Sequence, residues 1–325
     1  MDAKAFLGLD IGGTSVKGIR LEADGRIALR AARATPQGAG ASAVLAEVAA
    51  VLGELAAAGP VASVGVGTPG AVDAAGRVAG EAVNIPGWRG TDLRAAAEAA
   101  VGLPVSVRND ANLAAYAEWA ARRGASRSLL FVGLGTGIGG GFIEDGRILG
   151  GTDDRAAEIG HLVIRPGGRP CPCGRLGCVE AYAAGPAIAK QALELAPRFP
   201  GPLAGLVAAG GRVSAREVYE AFARGDPLAL AVHGIAEEAL AHAIGAALAL
   251  LAPDTVVLGG GVLAGAGALV GDVAAAVPTY VYPAAVRDCR FEKALLGPDA
   301  GILGAALLGA SSVLGRGDLL RLAGS

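Results

Sequence analysis

Short apolar runs bounded by glycine turns alternate along the chain with longer stretches rich in alanine, leucine, valine and glutamate. The first read as strands and the second as helices. Residues 6–11 form an apolar run that enters a glycine turn, followed by a second strand, a tight Asp24-Gly25 turn and a third strand. The spacing predicts helices over 41–58, 92–100, 111–123, 187–195, 215–223 and 228–251. Asp92 is placed to cap the second of these. Buried strands are predicted over 61–66, 105–107 and 255–258, the last running into Gly259-Gly260-Gly261 at the start of a helix. Residues 197–211, rich in proline and glycine, read as a surface loop. Strands alternating with helices indicate an α/β chain built on mixed sheets.

The opening unit has an echo. Phe6-Leu-Gly-Leu-Asp10-Ile-Gly-Gly-Thr14, ending at Asp24-Gly25-Arg26-Ile27, is matched by Phe131-Val-Gly-Leu-Gly135-Thr136-Gly137, ending at Asp145-Gly146-Arg147-Ile148. Both read as strand, glycine turn, strand, hairpin, strand. The repeat predicts two related domains, unless the likeness of glycine-rich strands is chance. The shared D-G-R-I ending argues for relatedness.

Composition narrows the function classes. The chain has 325 residues, enough for about two domains. Its net charge of −2, without a block of like charge, argues against nucleic acid or an acidic membrane as partner. The apolar stretch at 243–270 is broken by Pro253, Asp254 and glycines, so it does not read as one membrane-spanning helix. The first residues are too short a run for a signal peptide. The expected compartment is the cytoplasm.

Three of the four cysteines fall within eight residues, Cys171-Pro-Cys173-Gly-Arg-Leu-Gly-Cys178, with His161 upstream. Three thiolates and an imidazole make a full tetrahedral zinc shell, which is structural because no position is open to water. A disulfide is the alternative, but Cys171 and Cys173 sit too close to pair, and any bridge leaves an odd thiol. Glu158 and Glu180 flank the loop and serve a polar ligand there, or are merely solvated. Asp10-Ile-Gly12-Gly13-Thr14-Ser-Val-Lys17 reads as an anion loop, its glycines admitting close backbone N–H approach. Asp10 fits such a loop if it holds hydrated magnesium. Lys17 adds charge or caps a strand at the surface. Gly135-Thr136-Gly137 and Gly259-Gly260-Gly261 are further candidates; the former matches neither dinucleotide-binding nor P-loop contexts, since a strand follows. Asp110 ends a strand before a helix, as a general base or as that helix's N-cap. Trp88 reads as packing its turn, Cys289 as a buried thiol, and His233 and His242 as surface or packing residues.

Together these motifs resemble the sugar-kinase members of the ROK family (repressor, open reading frame, kinase), within the actin-hexokinase-Hsp70 superfamily, and look most like bacterial ATP-dependent glucokinases. They are L-D-I-G-G-T, G-T-P-G at 67–70, N-I-P-G-W at 84–88, N-D-A-N at 109–112, G-L-G-T-G-I-G-G-G, E-I-G-H at 158–161, C-x-C-G-x-x-G-C-x-E and V-L-G-G-G-V. They run in family order from residue 6 to about residue 310.

The resemblance implies two ribonuclease-H-like domains: a smaller one from 1–116 plus 305–325 and a larger one over 117–304, with sugar and ATP between them. The last helix, near 301–314, would return to the first domain. Asp110 is the implied catalytic base, and Gly70, Asn84, Asn109, Glu158, His161 and Glu180 the implied sugar ligands. Asp10, Gly12, Gly13, Thr14, Lys17, Gly135, Thr136, Gly137 and Gly259 to Gly261 would serve Mg-ATP. His161, Cys171, Cys173 and Cys178 would hold zinc. The implied activity is phosphorylation of glucose at its 6-hydroxyl by a homodimer or homotetramer. N-acetylmannosamine, fructose or mannose are alternative substrates, and polyphosphate or ADP alternative donors. A non-catalytic sugar sensor is a rival class, disfavoured because the first phosphate-loop strand leaves no room for a helix-turn-helix. One departure stands out: the residue before Asn109-Asp110, often acidic in related kinases, is Arg108. A cation beside a carboxylate weakens it as a base, so the direction of Arg108 matters.

Overall fold

A computed structural model describes residues 4–82 and 84–323. The strands are β1 (Ala5–Ile11), β2 (Ser15–Leu21), β3 (Ile27–Ala34), β4 (Val61–Thr68), β5 (Val105–Asn109), β6 (Ser128–Leu134), β7 (Ile138–Glu144), β8 (Arg147–Ile148), β9 (Thr255–Gly259) and β10 (Arg290–Lys293). The helices are α1 (Ala41–Ala56), α2 (Leu93–Val101), α3 (Asp110–Ala121), α4 (Glu180–Ala183), α5 (Gly185–Leu195), α6 (Pro202–Ala208), α7 (Ala215–Phe222), α8 (Pro227–Leu251), α9 (Leu269–Ala276), α10 (Ala300–Ser311) and α11 (Arg316–Ala323). Two five-stranded sheets result, ordered β3-β2-β1-β4-β5 and β10-β9-β6-β7-β8, the mixed α/β class expected.

Both copies of the repeated unit fold as strand, glycine turn, strand, hairpin. Gly25 (φ 88°), Asp145 (φ 47°) and Gly146 (φ 74°) supply the left-handed conformations that the hairpin turns require. Two compact units emerge. The first takes the chain to Leu129, then Gly141–Ala157 and everything from Pro298; the second takes Leu130–Gly140 and Glu158–Gly297. These boundaries differ from the expected 116/117 and 304/305, and the first unit is not the smaller. Helix α3 runs unbroken to Ala121 and packs on α10 and α11, so its C-terminal half stays with the first unit. The segment 197–211 also departs from expectation, since it contains α6 behind Pro202 at the helix start. After β9, Gly261–Ala264 makes a 3-10 turn in place of the expected α-helix.

In the first unit, alternate residues of β1 (Leu7, Leu9, Ile11) face Val44, Val48, Val51 and Leu55 of α1 in one apolar core. The other face of the sheet meets α10; α11 follows it, so α10 is not the last helix that was expected there. Its small residues allow contact at backbone distance. A Cβ at Gly65 would collide with the Ala305 carbonyl, one at Gly8 with Ile302, and one at Gly304 with Leu113 of α3. Ser63 Oγ donates to the Gly309 carbonyl at 2.7 Å, tying the layers together. In the second unit α8 is the central helix, packed by α4, α5, α7 and α9. It is long and apolar enough to cross a bilayer by composition, and half of its most apolar window is buried in the fold.

Glycines at the α10 contact and elsewhere should therefore respond oppositely to alanine. Gly65→Ala should lose about 3 kcal/mol through overpacking. Gly234→Ala, in the interior of α8 with open space around the new Cβ, should gain about 0.5–1 kcal/mol. Denaturant unfolding of both variants checks this; equal effects would mean that the α10 contact is looser than described.

Candidate active site and metal centre

The first unit gathers its functional residues by strand register. β1, β4 and β5 are parallel neighbours, with Asp10 opposite Gly67 and Thr68 opposite Asn109. Asp10, Gly70 and Asn109-Asp110 therefore emerge at the same, carboxyl end of adjacent strands, where open α/β sheets bind ligands.

Asp10 is the costly residue. Its Oδ1 is buried without a hydrogen-bond partner among the described residues. Glycines at 67 and 301 leave the space around it, since a Cβ at either would lie 3.3 or 3.2 Å from its carboxylate. Burial pushes its pKa up to about 6, with Lys17 across the β1–β2 ladder opposing only in part. An orphaned buried carboxylate at the head of an anion loop suits a cation-bound partner. The loop is held open by side chains the sequence reading missed: Thr35 Oγ1 donates to the Gly12 carbonyl (2.7 Å) and Gln37 Nε2 to that of Gly13 (2.5 Å). Asn84 packs against Gly13, in space a Cβ there would fill. Thr14 and Lys17 are exposed. Trp88 packs its turn as expected, fully buried, its Nε1 donating to Thr68 Oγ1 at 2.8 Å.

The cap of α3 is Asn109, whose Oδ1 accepts from the N–H groups of Ala111 (3.0 Å) and Asn112 (3.2 Å), while Nδ2 donates to the Gly70 carbonyl (3.2 Å). Asp110 is the first helical residue, half-buried, with Oδ1 accepting from its neighbour's N–H at 2.8 Å. Arg108 is held by Asp154, Nη1 to Oδ1 at 2.5 Å.

The second unit assembles the thiols. One ligand atom from each of His161, Cys171, Cys173 and Cys178 lies within 4.8 Å of all the others. The Cys173–Cys178 Sγ separation is 3.7 Å, and Cys171 Sγ lies 3.7 Å from His161 Nδ1. Bonds of about 2.3 Å to sulfur and about 2.0–2.1 Å to nitrogen give tetrahedral edges of about 3.8 and 3.6 Å. The four residues thus fit a zinc ion through Nδ1 and three sulfurs. Burial pushes the Cys171 thiol up to about 12 and raises that of Cys178. A cation reverses that preference, because a coordinating thiol is deprotonated outright. Cys289 is half-buried rather than buried, with a weak contact to the Arg290 carbonyl.

Glu180 links this cluster to the second glycine turn. Its Oε2 accepts the Ile138 N–H at 2.9 Å, and its Oε1 lies 3.8 Å from Cys171 Sγ. A Cβ at Gly137 would lie 2.6 Å from the same carboxylate. The Gly135 carbonyl accepts the Gly185 N–H at 2.9 Å, and Gly260 (φ 94°) packs on Leu134, so the 135–137 and 259–261 turns are neighbours. Thr136 is exposed between them. Glu158 is open to solvent on one side, yet the protein around it raises its carboxyl pKa, with His161 opposing and Glu180 adding. His233 is buried and bonded to Asp272 at 3.0 Å, and His242 stacks on Tyr280, both as packing residues.

Comparison with known proteins accounts for nearly the whole chain. A glucokinase of Halalkalibacterium halodurans is 33% identical over 95% of this chain and 96% of its own length. An N-acetylmannosamine kinase of Citrobacter koseri is 35% identical over 93% and 97%. The crystal structure of a ROK family glucokinase from Streptomyces griseus in complex with glucose and AMPPNP superposes with a TM-score of 0.79 at 31% identity, covering 94% of this chain and 99% of that one. The sequence profile described as the ROK family matches residues 6–311. The chain belongs to the ROK family.

Proposed function

We propose that this protein is an ATP-dependent hexose kinase that phosphorylates the 6-hydroxyl of glucose. The observation that carries the reading is the corner at the end of β5: Asn109 takes over the capping of α3, and Asp110 stands beside it at the ligand-binding end of the sheet. Asp110 accepts the proton of the 6-hydroxyl as the new O–P bond forms and the bond from the γ-phosphorus to ADP breaks. One positioned carboxylate suffices, because the transition state is loose and the proton leaves late. Asn84, Asn109, Glu158 and His161 are assigned to sugar hydroxyls, with Glu180 bracing the turn at Ile138. Gly70 lends its carbonyl to orient Asn109.

Asp10 is the residue assigned to magnesium, which would arrive with ATP and would supply positive charge to the phosphates. The N–H groups around Gly12-Gly13 and Gly135-Gly137 are assigned to the phosphates, with Gly259 to Gly261 beside them. Zinc, which His161, Cys171, Cys173 and Cys178 would hold, would contribute rigidity and not chemistry, fixing the His161 tautomer and leaving its other ring nitrogen for the sugar. The protein would work in the cytoplasm. A second reading, a kinase for N-acetylmannosamine, is favoured by the comparable identity of the Citrobacter koseri enzyme.

A coupled assay across hexoses with ATP tests the function. Glucose should show the highest kcat/KM; a higher value for N-acetylmannosamine would replace glucose as substrate. Asp110→Ala should lower kcat by about 10³-fold or more while sugar still binds by calorimetry. Near-normal turnover would remove Asp110 from its role.

Asp10 carries a stability signature. Its carboxyl titrates near 6 in the folded protein and near the ordinary carboxylate value when unfolded. Between those values the folded state binds more protons, so stability declines as pH rises from about 4 to about 6. Above that window the penalty is complete, on the order of 3 kcal/mol. Asp10→Asn should therefore melt several degrees higher than the parent at pH 7.5, equal it near pH 4, and be inactive. A variant no more stable than the parent at pH 7.5 would show that the buried carboxylate is compensated.

A further inference from the structure

A carboxylate outside the assigned site grips the strand that carries the catalytic corner. Asp154 has a fully buried side chain. Its Oδ1 takes Arg108 Nη1, and its Oδ2 accepts the backbone N–H of Asn109 at 3.2 Å. β5 is the edge strand of its sheet, so among the described residues that N–H has no neighbouring strand to receive it. Asp154 stands in for the missing strand, holding the last two residues of β5 from side chain and backbone at once.

The segment around it is shaped for this placement. Asp153 and Asp154 both adopt left-handed conformations (φ 53° and 55°), uncommon for residues with a Cβ. The Asp153 carbonyl accepts the Val72 N–H at 3.0 Å, and the Ala156 N–H closes back on the Gly150 carbonyl at 2.8 Å. Gly150 leaves the room that the Asp154 carboxylate occupies. Backbone held in sparsely populated conformations persists only where surrounding contacts over-determine it. Here those contacts hold the backbone on either side of the carboxylate that Arg108 and the Asn109 N–H share.

We infer that Asp154 is a positioning residue for phosphoryl transfer: by accepting the Asn109 N–H it fixes the turn from β5 into α3 and so the aim of Asp110. Its pairing with Arg108 also engages the cation that adjoins the catalytic carboxylate in sequence. The inference rests on the proposed role of Asp110.

Three variants separate positioning from stability. Asp154→Asn and Arg108→Leu each break the same ion pair, and both should lose thermal stability. Only Asp154→Asn also weakens the grip on the Asn109 N–H. It should lower kcat by about tenfold or more with KM for ATP within about twofold, since misplacement of a reacting group is felt in the transition state. Arg108→Leu should keep kcat within about threefold. The double variant Arg108→Met/Asp154→Leu leaves no uncompensated charge and should fold even if Asp154→Asn does not. It has no acceptor for the Asn109 N–H and should be as slow as Asp154→Asn. Wild-type kcat in the folded double variant, or equal kcat loss in Arg108→Leu and Asp154→Asn, would overturn the inference. If Asp110→Ala itself retains turnover, the kinase mechanism fails instead, and the two failures are told apart.

Discussion

A zinc ion held by four ligand atoms that lie within 4.8 Å of one another would order a stretch of chain with little regular secondary structure. Between Glu158 and Glu180 the backbone makes a 3-10 turn, isolated bridges of Val163 with Cys178 and Pro170 with Leu176, and irregular loop hydrogen bonds such as the Cys171 N–H to the Arg175 carbonyl and the Gly177 N–H to the Arg169 carbonyl. Leu162, Val163 and Leu176 are exposed, and the buried side chains of the loop are Ile159 and Val179 at its ends and the thiols of Cys171 and Cys178. Arg165 over the Tyr182 ring and the Arg169 N–H on Tyr182 Oη fasten its outer edge to α4. The centre is thiol and imidazole. Small protein segments without a core are stabilised by metal in this way. With the proposed zinc in place, Glu158, His161 and Glu180 are fixed relative to one another, and Glu180 passes that order on to the glycine turn at Ile138.

The first unit solves a different problem. Its sheet must deliver polar groups to one edge while remaining packed on both faces. Glycines at 8 and 65 let α10 approach the sheet backbone, and a glycine at 301 leaves room beside Asp10. Asp10 Oδ1, buried without a hydrogen-bond partner among the described residues, is a local violation of the rule that buried polar atoms are paired. Such violations belong where function compensates for them. Asn109 shows the opposite economy, serving one helix cap, one strand end and one loop carbonyl with a single side chain.

Much of this was legible in the sequence because the signals are local. The D-G turns of the repeated unit, the Asp92 cap and the cysteine spacing each depend on residues a few positions apart. What failed to show was long-range. Asn109 and Asp110 are both good caps by residue type, and only the Asn109 bonds to Gly70 and to two helical N–H groups decide between them. The partner of Arg108 lies 46 residues away, in a segment whose left-handed aspartates carry no periodic signal. Helix α6 was hidden by its flanking proline and glycines, and β10 is a short edge strand that alternation cannot flag. The turn after β9 was expected to start an α-helix, but the chain makes a 3-10 turn there and delays α9 to Leu269. In the second unit, Glu180 was legible as a carboxylate beside the cysteines; that one oxygen serves the Ile138 N–H was not.

The most direct measurement is hydrogen–deuterium exchange over residues 158–180 and at Ile138, read together with zinc content and glucose affinity, before and after chelation. Ordering of this segment by zinc requires about one zinc per chain. On its removal, protection in that segment should be lost and glucose binding weakened, while α1 and the β1–β4 ladder stay protected. Protein that purifies without zinc, protects 158–180 equally well and binds glucose unchanged would contradict it.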